Sequence, residues 1–170
     1  MDVGLLLLRL LIGALLAGHA LQKLTGSFGG AGPTRTGALF ASWGHRPGVA
    51  MAVVAGMSEA VGATLLVLGL GTPLASAAVV GTMTVAALAL ANNGLWAVRG
   101  GSEVPLLYGI AAAALGFTGP GDWSLDAALG LTGFSGPAWG ALALALGLLA
   151  GLPVAARAHR LRRADLPSPI

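Results

Sequence analysis

The first 24 residues, MDVGLLLLRLLIGALLAGHALQKL, constrain the fold more than any other stretch of the chain. Apolar side chains fill them almost without interruption, and a helix of about 20 residues crosses the hydrocarbon core of a bilayer. Yet Arg9 lies inside the run, and His19, Gln22 and Lys23 stand near its end. A charge at the centre of a membrane helix costs about 2.5–3.5 kcal/mol on insertion scales, so the rest of the fold has to supply Arg9 with a partner. Gly18 and Ala20 would suit a signal-peptide cleavage site, but Asp2 in place of a basic cluster and Arg9 within the run argue for a retained span.

Four further segments approach the same length, at 49–70, 73–96, 103–119 and 137–156, after a first at 3–21. The expected fold class is all-α, a polytopic membrane helix bundle filling residues 1–156, followed by a basic cytoplasmic tail at 157–170. Only 9% of the 170 residues are charged, too few for a soluble domain beside the bundle. Gly71 and Thr72 alone separate the second and third helices, which requires a tight antiparallel hairpin. With the N-terminus outside, the inner side receives Lys23, Arg35, Arg46, Arg99, Arg157, Arg160, Arg162 and Arg163, and the outer side receives Asp122 and Asp126. Losing any one helix would place the basic tail opposite the basic first loop, so the charge pattern supports the count of five. The nine basic residues are explained by membrane orientation rather than by nucleic acid, and the tail RAHRLRR also attracts anionic lipid headgroups.

The segment 25–48 is too rich in Gly and Pro to cross, although Leu39, Phe40 and Trp43 would share one side of a short helix on the inner surface. An ordinary loop with a few apolar residues fits it equally well. Trp96, Trp123 and Trp139 fall near helix ends, where aromatic belts form. Small residues recur at four-residue spacing, as in Gly13 with Ala17, Ala112 with Gly116 and Ala141 with Ala145, and such spacing lets membrane helices approach closely.

Depth along the helices decides which polar groups can meet. Counted at 1.5 Å per residue, Arg9 and Glu59 lie at depths that an arginine side chain can bridge, so an intramembrane Arg9–Glu59 ion pair is expected. It would serve either as a latch between helices or as a proton or substrate site. A second group gathers at the inner ends of three helices: His19, Gln22 and Lys23; Asn92 and Asn93; and Glu103. His19 and Lys23 are four residues apart on one helix face and can enter one cleft. A His, a Lys and a Glu there could bind a quinol-like or anionic headgroup and move protons, or form only an interfacial polar cluster. The chain has no cysteine, so thiol redox chemistry on it is excluded, and its three histidines have no metal-ligand spacing.

At these residues the sequence resembles the DoxX family of small bacterial membrane proteins. The resemblance is carried by the first helix with its internal arginine and His19-Ala20-Leu21-Gln22-Lys23-Leu24, by Phe28-Gly29-Gly30, and by Gly44-His45-Arg46-Pro47. It continues through Ala55-Gly56-Met57-Ser58-Glu59, Leu68-Gly69-Leu70-Gly71-Thr72, Gly100-Gly101-Ser102-Glu103 and the stretch 118–126, covering roughly residues 3–126. It implies a four-helix core, with Arg9, His19, Lys23, Glu59, Asn93 and Glu103 as its polar signature; the fifth helix and tail lie outside the pattern. It further implies quinone-linked redox or oxidative-stress chemistry in the bacterial inner membrane, at times as an oxidoreductase subunit. On that reading His19, Lys23 and Glu103 are the catalytic candidates, and Gln22, Asn92 and Asn93 would contact a bound quinone. The alternatives are a non-catalytic assembly protein for a redox complex and a small-solute or proton pathway.

Overall fold

A computed structural model describes residues 2–165; the last five residues of the expected tail lie outside that range. Helix α1 (Asp2–Leu24) is followed by α2 (Gly32–Ser42), α3 (Gly48–Leu68), α4 (Thr72–Leu90), α5 (Glu103–Thr118), the single turn α6 (Leu125–Ala128) and α7 (Pro137–Ala164). No strand occurs among the described residues. The expected all-α membrane bundle is therefore what forms. Helices α1, α3, α4 and α7 are long and apolar enough to cross a membrane. Helix α5, with 16 residues, rises about 24 Å and falls short of a full span.

Two helices end differently from the sequence expectation, each for a local reason. The third apolar helix was expected to reach Trp96, but α4 stops at Leu90, where Ala91–Asn93 tightens into a 3-10 turn and Gly94 takes φ +85, ψ −163, a conformation open to glycine. The chain then folds back on itself, with the amides of Ser102 and Glu103 donating to the carbonyls of Gly94 and Leu95. Helix α7 instead continues past residue 156 to Ala164 and carries Arg157, Arg160, Arg162 and Arg163 on helical backbone.

Small residues set how closely the helices pack. A Cβ at Gly13 would meet Val67 of α3, one at Gly56 would meet Leu24 of α1, and one at Gly151 would lie 2.6 Å from the carbonyl oxygen of Gly81. Gly140, Ala143, Gly147, Gly151, Ala155 and Ala158 form the buried stripe of α7 at three- and four-residue spacing. The Ala141–Ala145 pair singled out in the sequence faces outward. The core joins Leu16, Ala63, Leu66, Val79, Met83 and Leu115, while Leu7, Leu11, Leu15, Ile110 and Leu149 are exposed, the inside-out arrangement of a chain solvated by lipid.

The two ends of the bundle differ in charge. Asp2 at the start of α1 accepts from the amide of Asp122, and Asp126 lies at the same end. At the opposite end are Lys23, Arg35, Arg46, Arg99 and the four arginines of α7, with Arg46 paired to Asp165. Trp96 and Trp123, both largely exposed, mark the two ends, and Trp139 packs edge-on to Phe134.

Candidate functional site

The register between antiparallel α1 and α3 determines which polar groups meet. Gly13 lies against Ala63 and Val67, and Leu24 lies against Gly56, so Arg9 is level with Gly69 and Glu59 is level with the turn ending at Lys23. Arg9 and the Ala20–Lys23 turn are thus separated by about 16 Å of helix. The expected Arg9–Glu59 pair does not form. Glu59, 3% exposed, instead accepts from Lys23 Nζ at 2.7 Å (Oε2) and 2.9 Å (Oε1). Lys23 arrives from the end of α1 and buries its stem while its side chain remains 21% exposed.

Arg9 is 1% exposed and finds its partners in the loop that follows α5. Its Nη2 donates to the carbonyl oxygen of Trp123, and the Asp126 carboxylate acts on it electrostatically. Its Nε and Nη1 have no hydrogen-bond partner among the described residues. A side chain at Gly69 would collide with the guanidinium, and Gly69 with φ +62 closes α3 in the left-handed region. Asp126, 2% exposed, also accepts from the amides of Gly71 and Thr72 at 2.8 and 3.1 Å and from the Thr72 hydroxyl at 3.0 Å. It therefore caps the start of α4 from elsewhere in the chain and ties the α3–α4 hairpin to the loop above Arg9. The sequence placed Asp126 on the outer side without detecting this role; its signal is an acidic residue in the short loop opposite a helix start that lacks a cap.

At the other end, the Lys23–Glu59 pair lines a cavity of about 930 Å³. His19, Gln22 and Asn93 also line it, as do Tyr108 from α5 and Thr36, Leu39, Phe40, Trp43 and His45 from the α2 region. Helix α2 thus turns its apolar residues toward the cavity. Most of the remaining wall is apolar, contributed by α3, α4 and α7. Gln22 Nε2 donates to the carbonyl oxygen of Phe28 at 3.3 Å, which leaves Gln22 Oε1 to accept from His19 Nδ1 at 3.1 Å. That bond places a proton on Nδ1 and leaves Nε2 as the ring atom able to take up another. The imidazole stands edge-on to Tyr108, with ring centroids 5.6 Å apart.

Three of the candidate residues are not part of this arrangement. Arg9 belongs to the opposite end. Asn92 is exposed on the 3-10 turn and does not line the cavity. Glu103 Oε2 accepts from the Ala97 amide at 2.8 Å and holds the 91–102 loop rather than reaching Lys23. Asn93 lines the cavity while its Nδ2 donates to the Gly100 carbonyl. The sequence reading missed Tyr108 and His45 as site residues. Tyr108 is the single tyrosine of the chain and the one hydroxyl-bearing ring within its apolar spans, a signal available from the sequence. His45 is buried, and desolvation followed by the nearby Arg157 charge pushes its imidazole below the ordinary range.

The family model for DoxX matches residues 4–92. The chain belongs to the DoxX family. The matched region runs from α1 through the end of α4, so this DoxX-family chain holds the Lys23–Glu59 pair, His19, Gln22 and the α2 wall within its family portion. Tyr108, the Arg9-covering loop and α7 lie beyond it, as do the Gly100–Glu103 and 118–126 stretches expected to carry the resemblance. Searches of curated proteins and of solved structures each returned no match.

Proposed function

We propose that this DoxX-family protein is a quinone- or quinol-binding subunit of the bacterial inner membrane, linked to redox or oxidative-stress chemistry. The observation that carries the reading is the roughly 930 Å³ apolar cavity with one polar wall, at the upper end of the range for small-molecule sites. Its donor set suits the ligand class. The Lys23 ammonium, the Tyr108 hydroxyl and the Gln22 amide can hydrogen-bond quinone oxygens, and the apolar walls can hold a ring and the start of an isoprenoid chain. A bound quinone would supply two-electron, two-proton redox capacity to a partner oxidoreductase. The chain's own part is to orient the ring, exclude water and hold a proton at His19 Nε2. His19 and Lys23 keep their candidate roles, and Tyr108 replaces Glu103. The basic end is placed in the cytoplasm on the positive-inside rule.

A non-catalytic assembly role is favoured by a separate observation, the exposure of Leu95, Trp96 and Val98 (93%) on the loop at the basic end. A proton or solute pathway has no such support, because the core around Leu16, Leu66, Val79 and Leu115 separates the two polar ends. Titration of purified protein with a short-chain quinone, read by tryptophan fluorescence, tests the leading reading because Trp43 lines the cavity. Saturable quenching is expected, lost in Trp43→Phe and weakened about tenfold in Tyr108→Phe through loss of one hydrogen bond. Glu103→Gln should bind as the parent does. Absence of saturation would overturn the proposal.

A further inference from the structure

Helix α7 presents a second feature, outside the DoxX match and away from the large cavity. Leu149, Pro153, Arg157 and Arg160 follow one another at spacings of four, four and three, so they form a single stripe, and all four are exposed. Pro153, Arg157, Arg160 and Leu161 line an open surface cleft of about 480 Å³. From Pro137 to Arg157 the helix rises about 30 Å, the thickness of the hydrocarbon core, so the cleft opens where acyl chains give way to headgroups.

The charges in this cleft have no carboxylate partner among the described residues. Arg46 is paired with Asp165, its Nη2 2.6 Å from Oδ2. Arg157 Nη1 donates at 2.9 Å to the neutral carbonyl oxygen of Arg46, which fixes its stem against the α2–α3 connection without neutralising its charge. Neither Arg157 nor Arg160 forms an ion pair with a carboxylate among the described residues. Two cations at headgroup depth, one held in place, above an exposed Pro153 and Leu149, form a site with a phosphate end and an acyl end.

We propose that Arg157 and Arg160 bind the phosphate of one anionic phospholipid, with an acyl chain lying along Pro153 and Leu149. A phosphate diester accepts from guanidinium groups with good geometry, and the apolar continuation of the stripe separates a lipid from a free phosphate. A zwitterionic lipid offers the same phosphate without the net charge that the two arginines call for.

The test uses full-length protein in detergent and measures bound lipid by native mass spectrometry, with palmitoyl-oleoyl-phosphatidylglycerol as probe. One phosphatidylglycerol per chain is expected, with affinity falling about fivefold for each arginine removed in Arg160→Gln and in the double Arg157→Gln/Arg160→Gln variant. Arg162→Gln/Arg163→Gln removes the same charge outside the cleft and should change affinity by less than about twofold. Because Arg157 also holds the Arg46 carbonyl, Arg160→Gln alone decides the matter if the double variant is unstable. Equal binding of phosphatidylcholine, equal loss in the Arg162 and Arg163 variant, or displacement by millimolar glycerol phosphate would each overturn the proposal; the last would assign the site to free phosphate.

Discussion

Removing either member of the Lys23–Glu59 pair should have unequal consequences. Glu59 is 3% exposed and lies along the middle of α3, whereas Lys23 is at the end of α1 with 21% of its side chain exposed. Lys23→Met strands a buried carboxylate, which costs about 3–5 kcal/mol. Glu59→Gln strands an ammonium whose stem can lift it to the membrane boundary, so the loss should stay near the value of a solvent-accessible pair, about 1 kcal/mol or less. The double variant Lys23→Met/Glu59→Gln leaves no charge in the cavity wall and should resemble Glu59→Gln rather than the sum of the singles. The cycle can be measured by unfolding in mixed micelles with increasing SDS, followed by far-UV circular dichroism. If Glu59→Gln destabilises as much as Lys23→Met, or if the two effects add, the assignment of a buried pair with one buried and one escaping charge is wrong.

Other perturbations separate the remaining parts of the fold. Asp126→Ala removes the acceptor of three hydrogen bonds and the carboxylate facing Arg9, and should lower stability by about 3–5 kcal/mol in the same assay, with Asp126→Asn intermediate. Gly151→Val should cost about 1–3 kcal/mol because of the close Gly81 carbonyl, whereas Ala145→Val on the outward face should stay within about 0.5 kcal/mol. His45 has a folded-state pKa lowered by burial and then by Arg157. The unfolded chain therefore takes up this proton first as pH falls, so stability from the neutral ring is complete above about 6.5 and is lost as pH drops through the folded value. His45→Phe should flatten the acid limb of a stability-versus-pH curve below 6.5, and an unchanged limb would contradict the origin assigned to it.

The bundle was legible because its signals are long and redundant. Apolar runs fixed the helices, the Gly71-Thr72 link fixed the α3–α4 hairpin, and the basic residues fell at one end. The run at 103–119 is the shortest of the five in the sequence, and α5 is the short helix in the structure. The polar partners were only half legible. Depth arithmetic correctly gathered His19, Gln22, Lys23 and Asn93 at one end, but it compared helices as if their ends were aligned. The register set by Gly13 and Gly56 displaced Glu59 by somewhat less than two turns and gave it to Lys23. Arg9 went to a loop carbonyl and to Asp126, partners 114 or more residues away that periodicity cannot reveal. Glu103 looked like a cavity acid because it opens a helix, yet that same position lets it fold back onto the Ala97 amide.

Photolabelling with a quinone analogue that carries a photoreactive group on its ring tests the ligand reading most directly. Membranes containing the protein would be irradiated and the labelled peptides mapped by mass spectrometry. The account predicts labels on the end of α1 around His19–Lys23, on Tyr108 and on the Leu39–Trp43 stretch, all suppressed by excess unlabelled quinone. Labels confined to the lipid-facing Leu7, Leu11, Leu15 and Ile110, unaffected by competitor, would contradict it.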